Sequence, residues 1–107
     1  MANDKELDLR GRLVRGLGAL REMLPGSFVE RGRKCGKPTC RCADGKQLHR
    51  EFLLSVLFEG KPRTFHLPAD LAEEVRARVE MRKRFEASAD QIAHLNLRRF
   101  LRHKENR

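Results

Sequence analysis

The stretch Lys34-Cys35-Gly36-Lys37-Pro38-Thr39-Cys40-Arg41-Cys42, with His49 seven positions beyond its last residue, holds every cysteine of the chain. Cys35, Cys40, Cys42 and His49 present three thiols and an imidazole in the spacing C-x4-C-x-C-x6-H. Soft and borderline ligands of this kind match Zn(II), and four of them leave no coordination position for water, so the site they predict is structural rather than catalytic. Gly36 can take the positive φ that a knuckle around a metal requires, and Pro38 stiffens the turn. Lys34, Lys37 and Arg41 lie beside the thiols and offset their charge as thiolates. Other readings of the same residues are three small thiols beside an unrelated surface histidine, a disulfide with one odd thiol, an iron–sulfur cluster, or a reducible Cys40–Cys42 pair.

Working outward, Ser27 to Lys34 reads as a short strand leading to the first ligand. Arg50 to Glu59 is nearly continuous in apolar residues and reads as a central strand. Glu59-Gly60-Lys61-Pro62 makes a turn, and Arg63 to Leu67 returns as a third strand. The predicted sheet is a three-stranded antiparallel meander over 27–67, with the cysteine loop joining its first two strands. Before it, Leu9, Leu13, Leu17, Leu20 and Leu24 recur at helical spacing, which predicts an amphipathic helix over 5–24, weakened by Gly11, Gly16 and Gly18 and stopped by Pro25-Gly26. After it, Pro68 suits a first helical position, Asp70, Glu73 and Glu74 favour the positive end of a helix dipole, and Leu71, Val75 and Val79 line one face. Ser88-Ala89-Asp90-Gln91 has the form of a capping box, so residues 68–103 form either one long helix or two shorter ones. The expected fold is α+β in a single domain, 1–107.

Charge narrows the partner. The formal net charge is +9, and it is not evenly spread: residues 25–50 carry a net +5, residues 88–107 a net +3, and residues 51–87 balance. Three thiolates around Zn(II) would subtract about one unit, so the basic character survives metal binding. Such a surface implies a polyanion, and double-stranded DNA in particular. The candidate phosphate contacts are Arg31, Arg33, Lys34, Lys37, Arg41, Lys46 and Arg50, with Arg98, Arg99 and Arg102 as a second patch. With no Trp or Tyr among the aromatics and Phe residues at core-like positions, stacking on single strands finds little support.

Other classes are excluded or set aside. The longest apolar run, Phe52 to Phe58, is too short to span a bilayer, and the polar start Met1-Ala2-Asn3-Asp4 does not resemble a secretory leader, so a soluble protein in the reducing cytoplasm is expected. The four histidines are scattered, and no phosphate-binding glycine loop, nucleophile elbow or carboxylate pair is present, so no catalytic site is expected. The mixed charge of the helix from Pro68 onward suits a solvated or coiled-coil flank, which makes an interaction module or homodimer the alternative.

These residues also carry a resemblance. Gly26-Ser27, Lys34-Cys35-Gly36-Lys37-Pro38-x-Cys40-Arg41-Cys42-Ala43-x-Gly45, His49, the apolar strand, Gly60-Lys61 and Leu67-Pro68 resemble a family of small uncharacterised bacterial proteins, a domain of unknown function often encoded near transposases and other mobile elements. The resemblance spans roughly Gly26 to Val79. Where the family pattern follows its histidine with Gly-Pro-Tyr, this chain has Arg50-Glu51-Phe52. The resemblance implies metal binding and a partner such as a transposase, and it implies no activity.

Overall fold

Three antiparallel strands in the order β1-β2-β3 form the sheet of the computed structural model, which describes residues 4–107; the polar start Met1-Ala2-Asn3 lies outside the described residues. Helix α1 (Lys5–Leu17) precedes β1 (Ser27–Arg33), β2 (His49–Phe58) and β3 (Lys61–Leu67), and a single helix α2 (Ala69–Glu105) follows them. This is the expected α+β architecture, with the cysteine loop between β1 and β2. Among the described residues two compact units are distinguished: Leu24–Val79, and residues 4–23 with Glu80–Arg107.

In the sheet unit, cross-strand pairing sets the faces, because directly opposed residues point the same way. Val29, Leu53 and His66 stand opposite one another, with Arg31 opposite Glu51 and Arg33 opposite His49. The other face carries Phe28, Phe52, Leu54, Phe65 and Leu67, where Phe28 stacks on Phe52 with ring centroids 6.2 Å apart. Cys42, Leu53, Ala72 and Val79 are the buried apolar residues of this unit. Gly26 sits at φ 97, and a Cβ placed on it would come within 2.5 Å of the Ser55 carbonyl oxygen, so the entry to β1 admits glycine alone.

The second turn is tighter than the sequence reading had it. Phe58 pairs with Lys61 and Leu57 with Pro62, leaving only Glu59 and Gly60 in the loop, at φ 52 and 81. Two successive positive φ angles are those of a type I′ hairpin turn, whose twist matches that of the strands. Pro62 therefore belongs to β3. It is tolerated because β3 is an edge strand, where a missing N–H can face away from the ladder.

In the helical unit, Asp4 caps α1 by accepting from the backbone N–H groups of Glu6 and Leu7 at 3.1 and 3.2 Å. The helix ends earlier than the predicted Leu24: it closes at Leu17 and tightens into a 3-10 turn over Gly18–Leu20, as the propensity cost of Gly16 and Gly18 favours. Arg99 bonds Asp4 at 2.8 Å and Glu6 at 3.2 Å, Arg102 also reaches Glu6, and Arg10 bonds Asn96 at 2.8 Å. Ascending positions on α1 thus meet descending positions on α2, an antiparallel pair with Leu20 and Leu95 buried. The start signal at Ser88 begins no new helix. No Gly or Pro interrupts the sequence from Ala69 to Glu105, so the hydrogen-bond ladder runs through it.

Candidate metal centre

The loop that carries the ligands is anchored at both ends by one strand pair. Arg33 and His49 are the last opposed residues of β1 and β2, so His49 reaches the site as a strand residue while the three cysteines come from the loop. A 3-10 turn over Arg41–Asp44 follows Cys40, and Gly45 closes it in the left-handed region at φ 79. Cys40 N–H bonds the Lys37 carbonyl, Ala43 N–H the Cys40 carbonyl and Gly45 N–H the Cys42 carbonyl, at 3.0 to 3.1 Å. Gly36 sits at φ 88, as its predicted knuckle role requires.

This winding brings Cys35, Cys40, Cys42 and His49 together, one ligand atom each, all within 4.8 Å of one another. Cys42 Sγ is 3.5 Å from Cys35 Sγ, and Cys40 Sγ is 3.2 Å from His49 Nε2. A tetrahedral ion with metal–sulfur bonds of about 2.3 Å and metal–nitrogen bonds of about 2.0 Å separates its ligands by roughly 3.5 to 3.8 Å. The four atoms are close enough to coordinate one metal ion, and their chemistry suits a borderline-soft cation. The thiols are free, and Cys42 is buried while the others are partly exposed.

Backbone N–H groups also act on the sulfurs. The Cys35 N–H donates to Cys42 Sγ at 3.2 Å. The Lys37 N–H, followed by the Cys42 thiol, holds the Cys35 thiol below its ordinary pKa. The Cys42 N–H and then the His49 ring do the same for Cys40. Cys42 differs: the Cys35 N–H favours its thiolate, but burial and the two neighbouring sulfurs oppose a further negative charge and raise its pKa. The leading influence on all three sulfurs is thus backbone N–H geometry, whereas the sequence had pointed to the flanking cations.

The ten predicted phosphate contacts separate into different environments. Arg31 and Arg33 bond the Glu51 carboxylate at 2.8 and 3.5 Å, and Arg50 pairs with Glu30. Glu51, whose side chain is only 10% exposed, also lies 3.2 Å from His66 Nδ1. This cross-strand cluster was not foreseen; its only sequence signal is the alternation that puts Arg31 and Arg33 on one face, and it needs the register of β1 on β2 to be seen. Lys34, Lys37, Arg41 and Lys46 are exposed on the ligand loop, and none makes an ion pair among the described residues. Arg99 and Arg102 are engaged by Asp4 and Glu6 in the helical unit, where Arg98 is exposed. Among the described residues no helix is long and apolar enough to cross a membrane.

No curated protein and no solved structure matches the chain significantly. A family profile does match, over residues 4–77, and its description is a domain of unknown function, DUF6788. The chain belongs to that family.

Proposed function

We propose that this member of the DUF6788 family is a zinc-stapled module that binds nucleic acid, duplex DNA first, through the loop that carries its ligands. Zinc is the ion that best suits three thiolates and an imidazole with no position left for water, and its role is structural. It supplies a fixed positive centre that holds the loop; the chain's own residues do the rest.

One observation carries the reading. On a sheet whose arginines are mostly neutralised by Glu30 and Glu51, the loop keeps Lys34, Lys37, Arg41 and Lys46 exposed and without carboxylate partners among the described residues. From Lys34 to Leu48 these four cations face one carboxylate, Asp44. The three-thiolate zinc centre takes back one unit of the excess and leaves about two. A rigid loop presenting cations at fixed spacing suits phosphate oxygens, which position a protein on a duplex without reading its sequence. A reducing, cytoplasmic setting keeps the thiols available, and a DNA-associated protein such as a transposase is the natural companion.

The test is fluorescence anisotropy of a labelled duplex titrated with the zinc-loaded protein over a range of salt. Four phosphate contacts give a slope of about −3.6 in log affinity against log salt, which amounts to roughly a 150-fold loss between about 50 and 200 mM. Replacing Lys34, Lys37, Arg41 and Lys46 by Gln removes most of that slope while zinc content stays at one per chain. A salt-insensitive affinity, or a quadruple variant that binds like the parent, refutes the assignment.

A further inference from the structure

The helical unit presents a second apolar stripe that its own packing does not use. Leu95, 1% exposed, faces inward with Ile92 and Arg99 half-buried beside it. On the opposite side of α2, Ala93, Leu97, Phe100 and Leu101 follow the i, i+4, i+7, i+8 spacing of one helix face. Leu97, Phe100 and Leu101 remain 50%, 58% and 43% exposed. This stripe lies beyond residues 4–77, the part of the chain the family profile matches. At 3.6 residues per turn, Asp90 and Lys104 fall on the same face, seven residues before and after Leu97, or about 10 Å along the axis in each direction.

We propose that a second copy of this chain covers the stripe, as an antiparallel, two-fold symmetric pairing of the α2 segments centred on Leu97. The symmetry of the face argues for self-association. An isologous interface must be complementary to itself, each residue meeting its counterpart at equal distance from the two-fold axis. Here Leu97 meets Leu97, Ala93 meets Leu101, and Asp90 meets Lys104 of the other copy, so acid faces base at both ends of an apolar centre. Asp90 and Lys104 make no ion pair among the described residues, while the neighbouring Arg82–Glu86 and Lys83–Glu80 pairs are satisfied along the helix. A small residue opposite a large one also lets side chains interlock as in antiparallel coiled coils. The pairing goes beyond the nucleic-acid reading and does not depend on it, since none of its residues belongs to the ligand loop.

Sedimentation equilibrium of the full zinc-loaded chain without nucleic acid tests it. The parent is expected to dimerise at micromolar concentration, and Leu97→Asp to weaken the dimer at least about tenfold, as a central contact should. Because Leu97 is half exposed, the variant keeps its helical circular dichroism. Asp90→Lys and Lys104→Asp should each weaken the dimer, and the double variant should restore it to within a few-fold of the parent. A monomer at all concentrations, a Leu97→Asp variant as dimeric as the parent, or a double variant no better than either single one overturns the proposal.

Discussion

On the proposed zinc site, stripping the metal should unfold the loop and release the β1–β2 pairing, and the size of the effect can be worked from the structure. The segment from Lys34 to Leu48 holds roughly fifteen residues, and fixing their backbones costs at least about 1 kcal/mol each, so about 15 kcal/mol in all. Three backbone hydrogen bonds and the burial of Cys42 are the main internal compensation, and such bonds contribute only about 1 kcal/mol apiece net. A structural zinc ion supplies about 10 to 16 kcal/mol when it binds a small peptide site. The metal term and the ordering cost are therefore of equal size, and without the ion the loop has nothing comparable to hold it. The assay is amide hydrogen exchange read by mass spectrometry, with and without a strong chelator. Chelation should erase protection in the loop and reduce it across Ser27–Arg33, with the Phe52–Leu67 hairpin less affected. Cys42→Ser should give the same pattern without chelator. Unchanged protection of Ser27–Arg33 in a demonstrably metal-free sample would refute the reasoning.

Two further outcomes follow from local geometry. Gly26→Ala should destabilise the sheet unit by at least about 2 kcal/mol, because a side chain at φ 97 is strained and its Cβ meets the Ser55 carbonyl, whereas Gly16→Ala in α1, where a Cβ has open space, should stabilise by up to about 1 kcal/mol; thermal melts of both variants check the contrast. The Arg99 guanidinium and the Leu7 N–H hold the Asp4 carboxyl below its ordinary value of 3.8, so its contribution is complete above that pH and is lost as pH falls through the lower folded-state value. Asp4→Asn, which keeps a capping oxygen but not the charge, should flatten the acid-side loss of protection in α1; an unchanged pH profile would contradict that account.

The grouping of Cys35, Cys40, Cys42 and His49 was legible because its chemistry is local: all three thiols fall within eight residues. The sheet was legible from the apolar run of β2 and the turn residues around Gly60. Other features depend on relations that no single stretch of sequence contains. Glu51 gathers Arg31, Arg33 and His66 only once β1 and β3 flank β2 in register, so the sequence showed unpaired cations where the structure shows committed ones. The early end of α1 reflects a balance between leucine spacing and glycine cost that packing settles. Ser88-Ala89-Asp90-Gln91 misled because a capping signal acts only where the preceding chain leaves the helix, and nothing before Ser88 makes it do so.

The two connections within the sheet differ greatly in length, and that difference sets an order in time. Glu59 and Gly60 close the β2–β3 hairpin with two residues, a local event on the scale of about 1 to 10 μs. The β1–β2 connection must first bring together strand ends separated by the whole ligand loop, and its closure entropy is larger by roughly 2 kcal/mol. Loop length therefore predicts that β1 docks last, onto a hairpin already made. All four candidate ligands lie on that slow-closing connection or at the start of β2, so an ion bound there would shorten the span that β1 has to close.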